Sequence, residues 1–520
     1  MNRKKKIIIA IASIGIISSI IVGKNIISER IEEKRILEQE ENNRTLEKNT
    51  MPEFCNLYES PSDIYFVDSK DLQYKLSDLK GNIVIIMFWN NADGTTNYKL
   101  DDIRKFQNVL SKYDDVKFIL VDRTDEEILR ESNIAFPLAF DKISNAYYKF
   151  KIDTIPSTLI INKNGSLIKH IKEMISDNNE LESLIEYGRD GGYKATENFV
   201  RNKLTNSSGG IKTTLLNENQ DNIKETILSE SQGIVLEYAA LTNDEELFKT
   251  TLDYINKYMK NDELVSWRVQ HNNASRVNAA IDDLRIYGAL KEGYDKFGKN
   301  TKELRKYRKA IYKYNVEDGN LVDSYDFEYN QKAERLTLCY ADFKVLEELS
   351  ESDRRFNKVY KNSFDIVKNG YISDEFPLYY SWYNYKTKKY EKDDLNTAEA
   401  MVTLLHLAEQ GELKQNTISW LKDTIKKDGI LGKYTVVGNV VDGYEYESTA
   451  VYAIVALIGN EIDDRELIDL AVNKMEKMRI NNSTSEFNGA FGNPDGTGIY
   501  SFDQCMALLT YGSLDNKVEN

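Results

Sequence analysis

Carboxylates are the side chains of this sequence whose positions favour a chemical role. They recur where strongly apolar helical segments begin, as at Glu230 and Asp503. One acid at such a place is typical of a helix cap or first turn, where the helix dipole favours negative charge. Their repetition along the chain favours a shared role instead. The acids concerned are Glu230, Asp282, Asp283, Asp326, Glu328, Asp394, Glu399, Glu447 and Asp503.

Two carboxylates facing each other can hydrolyse a glycosidic bond. One protonates the leaving oxygen, and in an inverting enzyme a second, about 6.5–9.5 Å away, activates a water. Glu230 opens an apolar segment and fits the proton donor, which requires a pKa raised by burial or by neighbouring carboxylates. For the water-activating base the sequence leaves three candidates, in the order Asp326, Asp394 and Glu399.

Other chemistries find less support in the composition. The chain has 69 basic and 84 acidic side chains, a net charge of −15, which argues against a nucleic-acid partner. Its cysteines and histidines lie far apart, so neither a disulfide framework nor a Cys/His zinc site is indicated. We therefore expect no metal and no organic cofactor. These residues are Cys55, Cys339, Cys505, His170, His271 and His406.

The acids must be positioned by helices. From about residue 193 onward, apolar residues recur with helical spacing in about twelve segments, such as Ser229–Leu241, Ala274–Gly293 and Lys332–Leu349. One helix of each pair is the more apolar, which predicts six antiparallel pairs closed into a ring, with the apolar helices inside. The acids would then meet on one rim of the ring, beside aromatic rings that can stack on sugars.

Residues 51–190 have a different pattern. Short β-rich runs at Ile83–Trp89, Val116–Val121 and Ser157–Ile161 alternate with helical stretches such as Tyr98–Tyr113, which predicts an α/β domain. Four of the six prolines fall before residue 190, whereas the helical part has two. The sequence predicts a domain boundary near Gly191–Gly192.

The first 50 residues indicate a membrane anchor. A basic cluster, Arg3–Lys6, precedes an uncharged apolar run, Ile7–Gly23, about the shortest that can cross a bilayer. We expect residues 1–23 to be a cytoplasmic tail and transmembrane helix, residues 24–50 a charged helical stalk, and the bulk of the chain extracellular. A cleaved secretory peptide is the alternative.

Two strings carry a first family resemblance. "LSDLKGNIVIIMFW" (Leu76–Trp89) and "TIPSTLIINKNGSLI" (Thr154–Ile168) resemble membrane-tethered thioredoxin-like domains of the TlpA type. That family places a Cys-x-x-Cys after the first string, where this chain has Asp93–Thr96, and Pro156 matches its cis-proline. Without the two sulfurs we expect no thiol exchange. We interpret the domain as a contact surface for an envelope protein.

Three further strings resemble the motifs of glycoside hydrolase family 8, over residues 193–515. They are "SESQG" (Ser229–Gly233), "SWRV" (Ser266–Val269) and "AIDDLRIYGAL" (Ala280–Leu290). The resemblance implies an all-α (α/α)6 toroid and inverting hydrolysis of a β-linked polysaccharide. It makes Glu230 the proton donor and places a sugar-binding aspartate at Asp283, with Asp282 adjacent. Ser231 and Arg285 depart from the motifs. The predicted substrate contacts are Gln232, Trp267, Arg268, Tyr287 and Trp382.

These features predict a multidomain, membrane-anchored, outward-facing glycoside hydrolase of the endo-acting, inverting type. The first alternative is a toroid that has lost its base and binds or assembles a surface polysaccharide without cutting it. A second alternative, a thiol-disulfide protein, would require a reactive Cys55.

Overall fold

A computed structural model describes most of the chain after residue 54. The described residues are 55, 64–68, 73–89, 104–122, 138–140, 145–189 without 164 and 166, 193–216, and 226–519 without 262, 299 and 481–484. The predicted anchor (1–23), stalk (24–50), motif position Asp93–Thr96 and boundary Gly191–Gly192 lie outside these residues. Within them, no helix combines the length and apolar character that crossing a bilayer requires.

The amino-terminal domain is built on one seven-stranded sheet with strand order β2-β1-β5-β4-β3-β6-β7. Strand β3 is apolar and fully buried, and it lies between parallel β4 and antiparallel β6. The strands are β1 (Tyr65–Asp68), β2 (Gln73–Lys75), β3 (Ile83–Phe88), β4 (Val116–Asp122), β5 (Leu138–Phe140), β6 (Ser157–Ile161) and β7 (Leu167–Ile171). The described helices are α1 (Gln107–Leu110), α2 (Asn145–Lys149) and α3 (Asn178–Arg189), with a 3₁₀ turn at Leu76–Leu79. The predicted thioredoxin-like α/β domain is confirmed.

Two features of this domain bear on its chemistry. The peptide bond between Ile155 and Pro156 is cis, as the resemblance implied. Cys55 is buried, with 6% of its surface exposed. A buried thiol is poorly placed to react with a partner protein, so the structure lends no support to the thiol-disulfide alternative.

Twelve helices follow residue 193 in the described part of the chain. They are α4 (Lys194–Phe199, continued by a π-helical turn at Val200–Leu204), α5 (Ser229–Leu241), α6 (Glu245–Tyr254, continued by a π-helical turn at Ile255–Met259), α7 (Ala280–Phe297), α8 (Thr301–Tyr314), α9 (Phe343–Ser352), α10 (Phe356–Asn369), α11 (Thr397–Ala408), α12 (Gln415–Lys427), α13 (Thr449–Glu461), α14 (Arg465–Glu476) and α15 (Ser501–Glu519).

Six of these helices close into a ring. Helices α5, α7, α9, α11, α13 and α15 contact one another in that order, and α15 packs back on α5. The inner helix α13 is buried on every side from Thr449 to Asn460, as its apolar sequence predicts. The outer helix α10 instead buries a stripe at Phe356, Val359, Ser363 and Val367, the spacing of an amphipathic helix. The predicted ring of helical hairpins is confirmed.

Short strands occupy the loops that lead into the helices, and they correct two predicted elements. Asn273–Ala274 pairs with Arg268–Gln270, so the helix predicted from Ala274 begins at Ala280. The segment predicted as a helix from Lys332 contains strand Arg335–Thr337, and its helix begins only at Phe343. The strands are Thr226–Leu228, Lys260–Asn261, Leu264–Val265, Arg268–Gln270, Asn273–Ala274, Val316–Glu317, Asn320–Leu321, Tyr325–Asp326, Gln331–Lys332, Arg335–Thr337, Trp382–Asn384, Lys389–Tyr390, Leu395–Asn396 and Lys433–Tyr434.

A buried group of charged side chains joins the two domains. Lys169 of β7 places its Nζ 3.0 Å from Oε2 of Glu476, the last residue of α14. Arg479, whose side chain is fully buried, donates two hydrogen bonds to Glu476 and one, of 2.6 Å, to Thr196 Oγ1. The Lys169 ammonium also lies 4.4 Å from the centre of the Tyr187 ring on α3. We call Lys169, Glu476 and Arg479 the domain-joining cluster.

Candidate active site

Glu230 is held where a short strand turns into an inner helix. Strand Thr226–Leu228 pairs with Arg268–Gln270, and helix α5 begins at the next residue, Ser229. The Ser229 amide donates a 3.0 Å hydrogen bond to the Trp267 carbonyl, which fixes the junction. Glu230 therefore lies in the first turn of α5, half-buried at the end of the ring where α5, α7, α11, α13 and α15 begin. We call this end the rim.

The surroundings of Glu230 favour its protonated form. Burial, together with the nearby acids Asp282, Glu399 and Asp503, raises the pKa of Glu230 to about 7 against the opposing effect of Arg285. A carboxyl group with a pKa near neutrality retains its proton at the pH at which a substrate arrives. This meets the requirement for a proton donor.

Asp282 reaches the rim from helix α7. It is 5% exposed, and the Ser229 hydroxyl donates a short hydrogen bond to its Oδ2. Burial raises the pKa of Asp282, although the Ser229 hydrogen bond and Arg285 act the other way. Since Ser229 immediately precedes Glu230 in α5, this bond joins the first turns of two inner helices beside the proton donor.

Two further acids come from α15 and α11, the helices on either side of α13 in the ring. Asp503, in the first turn of α15, accepts hydrogen bonds from Ser448 Oγ (2.8 Å) and from the Ala450 amide (2.7 Å) at the start of α13. Glu399, in the first turn of α11, is exposed as a whole residue, but partial desolvation of its carboxylate and the nearby Asp323 raise its pKa. The predicted convergence of first-turn acids therefore holds for four helices.

The structure corrects the role predicted for Asp283. Its side chain is fully buried and accepts hydrogen bonds of 2.6–3.2 Å from four groups. The donors are the Val265 amide, Asn278 Nδ2, Tyr307 OH and Asn315 Nδ2. Adjacent residues of a helix point about 100° apart, so Asp282 faces the rim and Asp283 does not. Asp283 holds loops together and cannot touch a sugar.

Asp326, the first choice for the general base, is also placed differently from the prediction. It lies in strand Tyr325–Asp326, and its Oδ1 accepts the amide hydrogens of Glu328 (2.8 Å) and Tyr329 (3.0 Å). This is an Asx-type turn, in which the carboxylate orders its own loop. Asp326 is not among the principal charged groups that act on Glu230, and Asp394 is exposed on the surface. Of the three candidates, only Glu399 belongs to the rim cluster.

Two predicted substrate contacts prove to be core residues. Gln232 is fully buried; its Oε1 accepts the Ile211 amide at 2.9 Å, and its Nε2 donates to the Gly209 carbonyl at 3.3 Å. Tyr287 is 2% exposed and packs inside the ring. Both lie deeper along their helices than the rim acids, so neither can contact a polysaccharide.

The other three predicted contacts remain accessible. Trp267 is 37% exposed, and the Arg268 guanidinium lies 4.7 Å from its ring centre. Trp382 is half-buried, with its Nε1 donating a 2.8 Å hydrogen bond to Asp393 Oδ2 and the Arg335 guanidinium 5.1 Å from its ring. These flat, partly exposed rings suit sugar stacking.

Comparisons with known proteins agree with both domains. Residues 49–170 match the AhpC/TSA family. A structure described as a novel alpha-amylase from Clostridium perfringens is 31% identical, with a TM-score of 0.58, covering 62% of this chain and 96% of that one. The chain belongs to the family of this clostridial protein. A thioredoxin-like domain followed by a helical domain of the clostridial protein's family is thus confirmed.

Two further matches fall on a similar share of the chain. PssZ from Listeria monocytogenes is 22% identical, with a TM-score of 0.50, over 61% of this chain and 94% of that one, and it shares the fold. A Bacillus subtilis (strain 168) protein named "Putative lipoprotein YdaJ" is 27% identical over 334 residues, 62% of this chain and 87% of that protein. The helical domain therefore carries the family relationship.

Asp323, an acid close to Glu399, was not among the sequence candidates. Asp323, 5% exposed, accepts the Thr337 amide (2.6 Å), the Thr337 hydroxyl (2.7 Å) and Arg335 Nε (2.8 Å). Together with Ser324, Arg335 and Trp382 it lines a surface pocket. Its own sequence position gives no signal, because Asp323 follows a two-residue strand rather than opening a helix.

Proposed function

We propose that the protein is a membrane-anchored extracellular glycoside hydrolase that cleaves a β-linked polysaccharide by an inverting acid/base mechanism. The observation that carries the proposal is the position of Glu230, half-buried at the rim among Asp282, Glu399 and Asp503, with a pKa raised to about 7. An acid kept neutral among other carboxyl groups is the arrangement that protonation of a glycosidic oxygen needs.

In the proposed reaction Glu230 transfers its proton to the glycosidic oxygen as the bond from that oxygen to the anomeric carbon breaks. A water attacks the anomeric carbon from the opposite face and gives its proton to a carboxylate. Glu399 is the best candidate for this base, because Asp282 is engaged by Ser229 and Asp503 by Ser448 and Ala450. The negative rim stabilises the positive charge that develops on the sugar ring.

The substrate class rests on charge and aromatic surface. An acidic rim disfavours polyanionic sugars and suits neutral or cationic ones. Trp267, whose carbonyl accepts the Ser229 amide, and Trp382, which lines the pocket with Asp323, offer stacking faces. The printed name of the clostridial relative concerns an amylase, whose substrate is α-linked, so an α-glucan is the main competing substrate.

The proposal also covers the cellular location of the protein and a partner of its thioredoxin-like domain. The basic cluster and apolar run of residues 3–23 support an anchor with the working domains outside, and the name of the Bacillus relative also points to the cell surface. We propose that the thioredoxin-like domain offers its surface to an envelope protein.

The test is release of reducing ends by the full chain from β-glucans, xylan, chitosan and starch. We expect wild type to cut one of the β-linked polymers, and Glu230→Gln to lose about 10²–10⁴-fold in kcat. Glu245→Gln is the matched control, because Glu245 is an exposed first-turn acid of α6 that pairs with Lys249, and it should keep full activity.

Each outcome decides between functions. Cleavage of starch alone would keep the mechanism and overturn the β-linkage. Binding of a polymer without cleavage, by wild type and Glu230→Gln alike, would favour the polysaccharide-binding alternative. Proton NMR of the first product should show the inverted anomer, and retention would contradict the inverting mechanism.

A further inference from the structure

A second group of ligand-bearing side chains lies deeper in the ring than the rim. Asp342 is the N-cap of α9, while His406 lies in the last turn of α11 and Glu409 immediately follows that helix. His406 comes seven residues after the rim acid Glu399, about 10 Å further along the helix axis. The group therefore belongs to a different level of the ring from the proposed active site.

His406 is the most informative member of this group. It is 5% exposed, and its Nδ1 has no hydrogen-bond partner among the described residues. The imidazole is hydrogen-bonded to the backbone carbonyl of Ala341, which leaves Nδ1 as the unused nitrogen. When that hydrogen bond uses the Nε2 proton, Nδ1 of the neutral ring presents its lone pair to a ligand. A histidine that ligates a metal usually donates its other N–H to a carbonyl or carboxylate in this way.

Two carboxylates complete the group. Glu409 has a buried Oε2 atom with no hydrogen-bond partner in the described part of the chain. Asp342 uses Oδ1 to accept the Val345 amide at 3.0 Å, which leaves its second oxygen available. One ligand atom from each of the three residues lies within 4.8 Å of the others. Metal-to-ligand distances of about 2.0–2.2 Å require ligand atoms roughly 3–4 Å apart, so only small side-chain rotations are needed.

We propose that Asp342, His406 and Glu409 bind one divalent transition-metal ion, of which Zn²⁺ is the representative. A set of one imidazole and two carboxylates fits Zn²⁺, Co²⁺ or Mn²⁺ better than Ca²⁺ or Mg²⁺, which prefer oxygen ligands alone. The ion would join the start of α9 to the end of α11, two inner helices that are neighbours in the ring. The site is independent of the proposed hydrolysis at Glu230.

The charges around the three proposed ligands include both acids that favour a metal ion and a lysine that would compete with it. Glu237 and Glu461 add negative charge near Asp342 and Glu409, whereas Lys344 and Arg285 oppose it. Arg285 is already near Glu237, with Nε 3.6 Å from its Oε2. Lys344 offsets part of the negative charge of Glu409 that a bound metal would use. Removing Lys344 should therefore strengthen metal binding.

The experiment titrates the chelator-treated full chain with Zn²⁺ by calorimetry and with Co²⁺ by visible absorption. We expect one ion per chain and a Co²⁺ spectrum with a nitrogen ligand. His406→Asn should weaken binding at least about tenfold, and Lys344→Met should tighten it. His271→Asn is the control, because His271 is exposed and has a positive φ of 49° that Asn tolerates.

Three results would overturn the proposal. They are the absence of saturable Zn²⁺ binding by wild type, unchanged binding by His406→Asn, and loss of binding by Glu230→Gln, which would move the ion to the rim acids. The Lys344→Met variant keeps the test decisive if His406→Asn fails to fold, because only competition for this site predicts tighter binding.

Discussion

Glu230 and Glu476 are both desolvated by burial, but their pKa values shift in opposite directions. For both Glu230 and Glu476, burial is the largest influence and raises the pKa. At the rim other acids add to that effect, and the pKa of Glu230 rises to about 7. In the domain-joining cluster Arg479 and Lys169 more than offset burial, and the pKa of Glu476 falls to about 2.

The difference shows that neighbouring charge, rather than depth alone, decides what a buried acid does. A glutamate between two cations stays ionised and binds two domains together. A glutamate among acids keeps a proton that it can give to a substrate. The same residue type thus serves structure in one place and the proposed chemistry in the other.

The largest expected effect on stability comes from removing the negative charge of the domain-joining cluster. Glu476→Gln leaves Arg479 and Lys169 buried without their counter-ion, and we expect a loss of about 3–5 kcal/mol in the free energy of unfolding. Glu466→Gln is the matched control, because the pKa of Glu466 is also lowered to about 2, by hydrogen bonds from Lys426 and Lys422, but on the surface. It should cost less than about 1 kcal/mol in urea unfolding.

The stabilisation that ionised Glu476 provides should depend on pH in a definite direction. Because the folded-state pKa of Glu476 lies below its unfolded value, its stabilisation is present above about pH 4.5 and is lost as the pH falls toward 2. Unfolding curves of Glu476→Gln should therefore lose less stability between pH 5 and about 3 than those of wild type. Parallel curves would contradict the assigned ionisation.

Asp283 provides an intermediate case, a buried acid held by neutral donors. Burial raises the pKa of Asp283 to about 7 even though four hydrogen bonds lower it. Asp283→Asn turns a donor toward those donors, and we expect it to cost about 1–3 kcal/mol in thermal or urea unfolding. The kcat of the folded fraction should change little. A large fall in kcat at unchanged stability would restore the catalytic role that the sequence motif implied.

The smallest effect should have the opposite sign. Ionisation of Glu230 costs the folded state energy as the pH rises from about 4.5 to about 7, and above that range the cost is complete. Glu230→Gln should therefore be about 1–2 kcal/mol more stable than wild type at pH 8 and equal to it at pH 4. Equal stability at both pH values would remove the contrast between Glu230 and Glu476.

The fold and the rim were largely predictable because their signals are local. Helical spacing of apolar residues marked α5 and α13, and acids in first turns identified Glu230, Glu399 and Asp503. The choice between Asp282 and Asp283 was not local, because it depends on how α7 is rotated in the ring.

Contacts distant in sequence escaped prediction for the same reason. Lys169 and Glu476 are 307 residues apart, and neither stands in a pattern that indicates the other. The prediction for Asp326 was wrong because acids in loops also order turns. The amides of Glu328 and Tyr329 already donate hydrogen bonds to its carboxylate.

The most direct test of the central claim is the protonation of Glu230 itself, measured without any substrate. Infrared difference spectra of wild type minus Glu230→Gln, recorded across a pH series, isolate the C=O band of this one protonated carboxyl group. We expect a band that persists at pH 6 and disappears with a midpoint near 7. A midpoint near the ordinary value for glutamate, about 4.3, would contradict it.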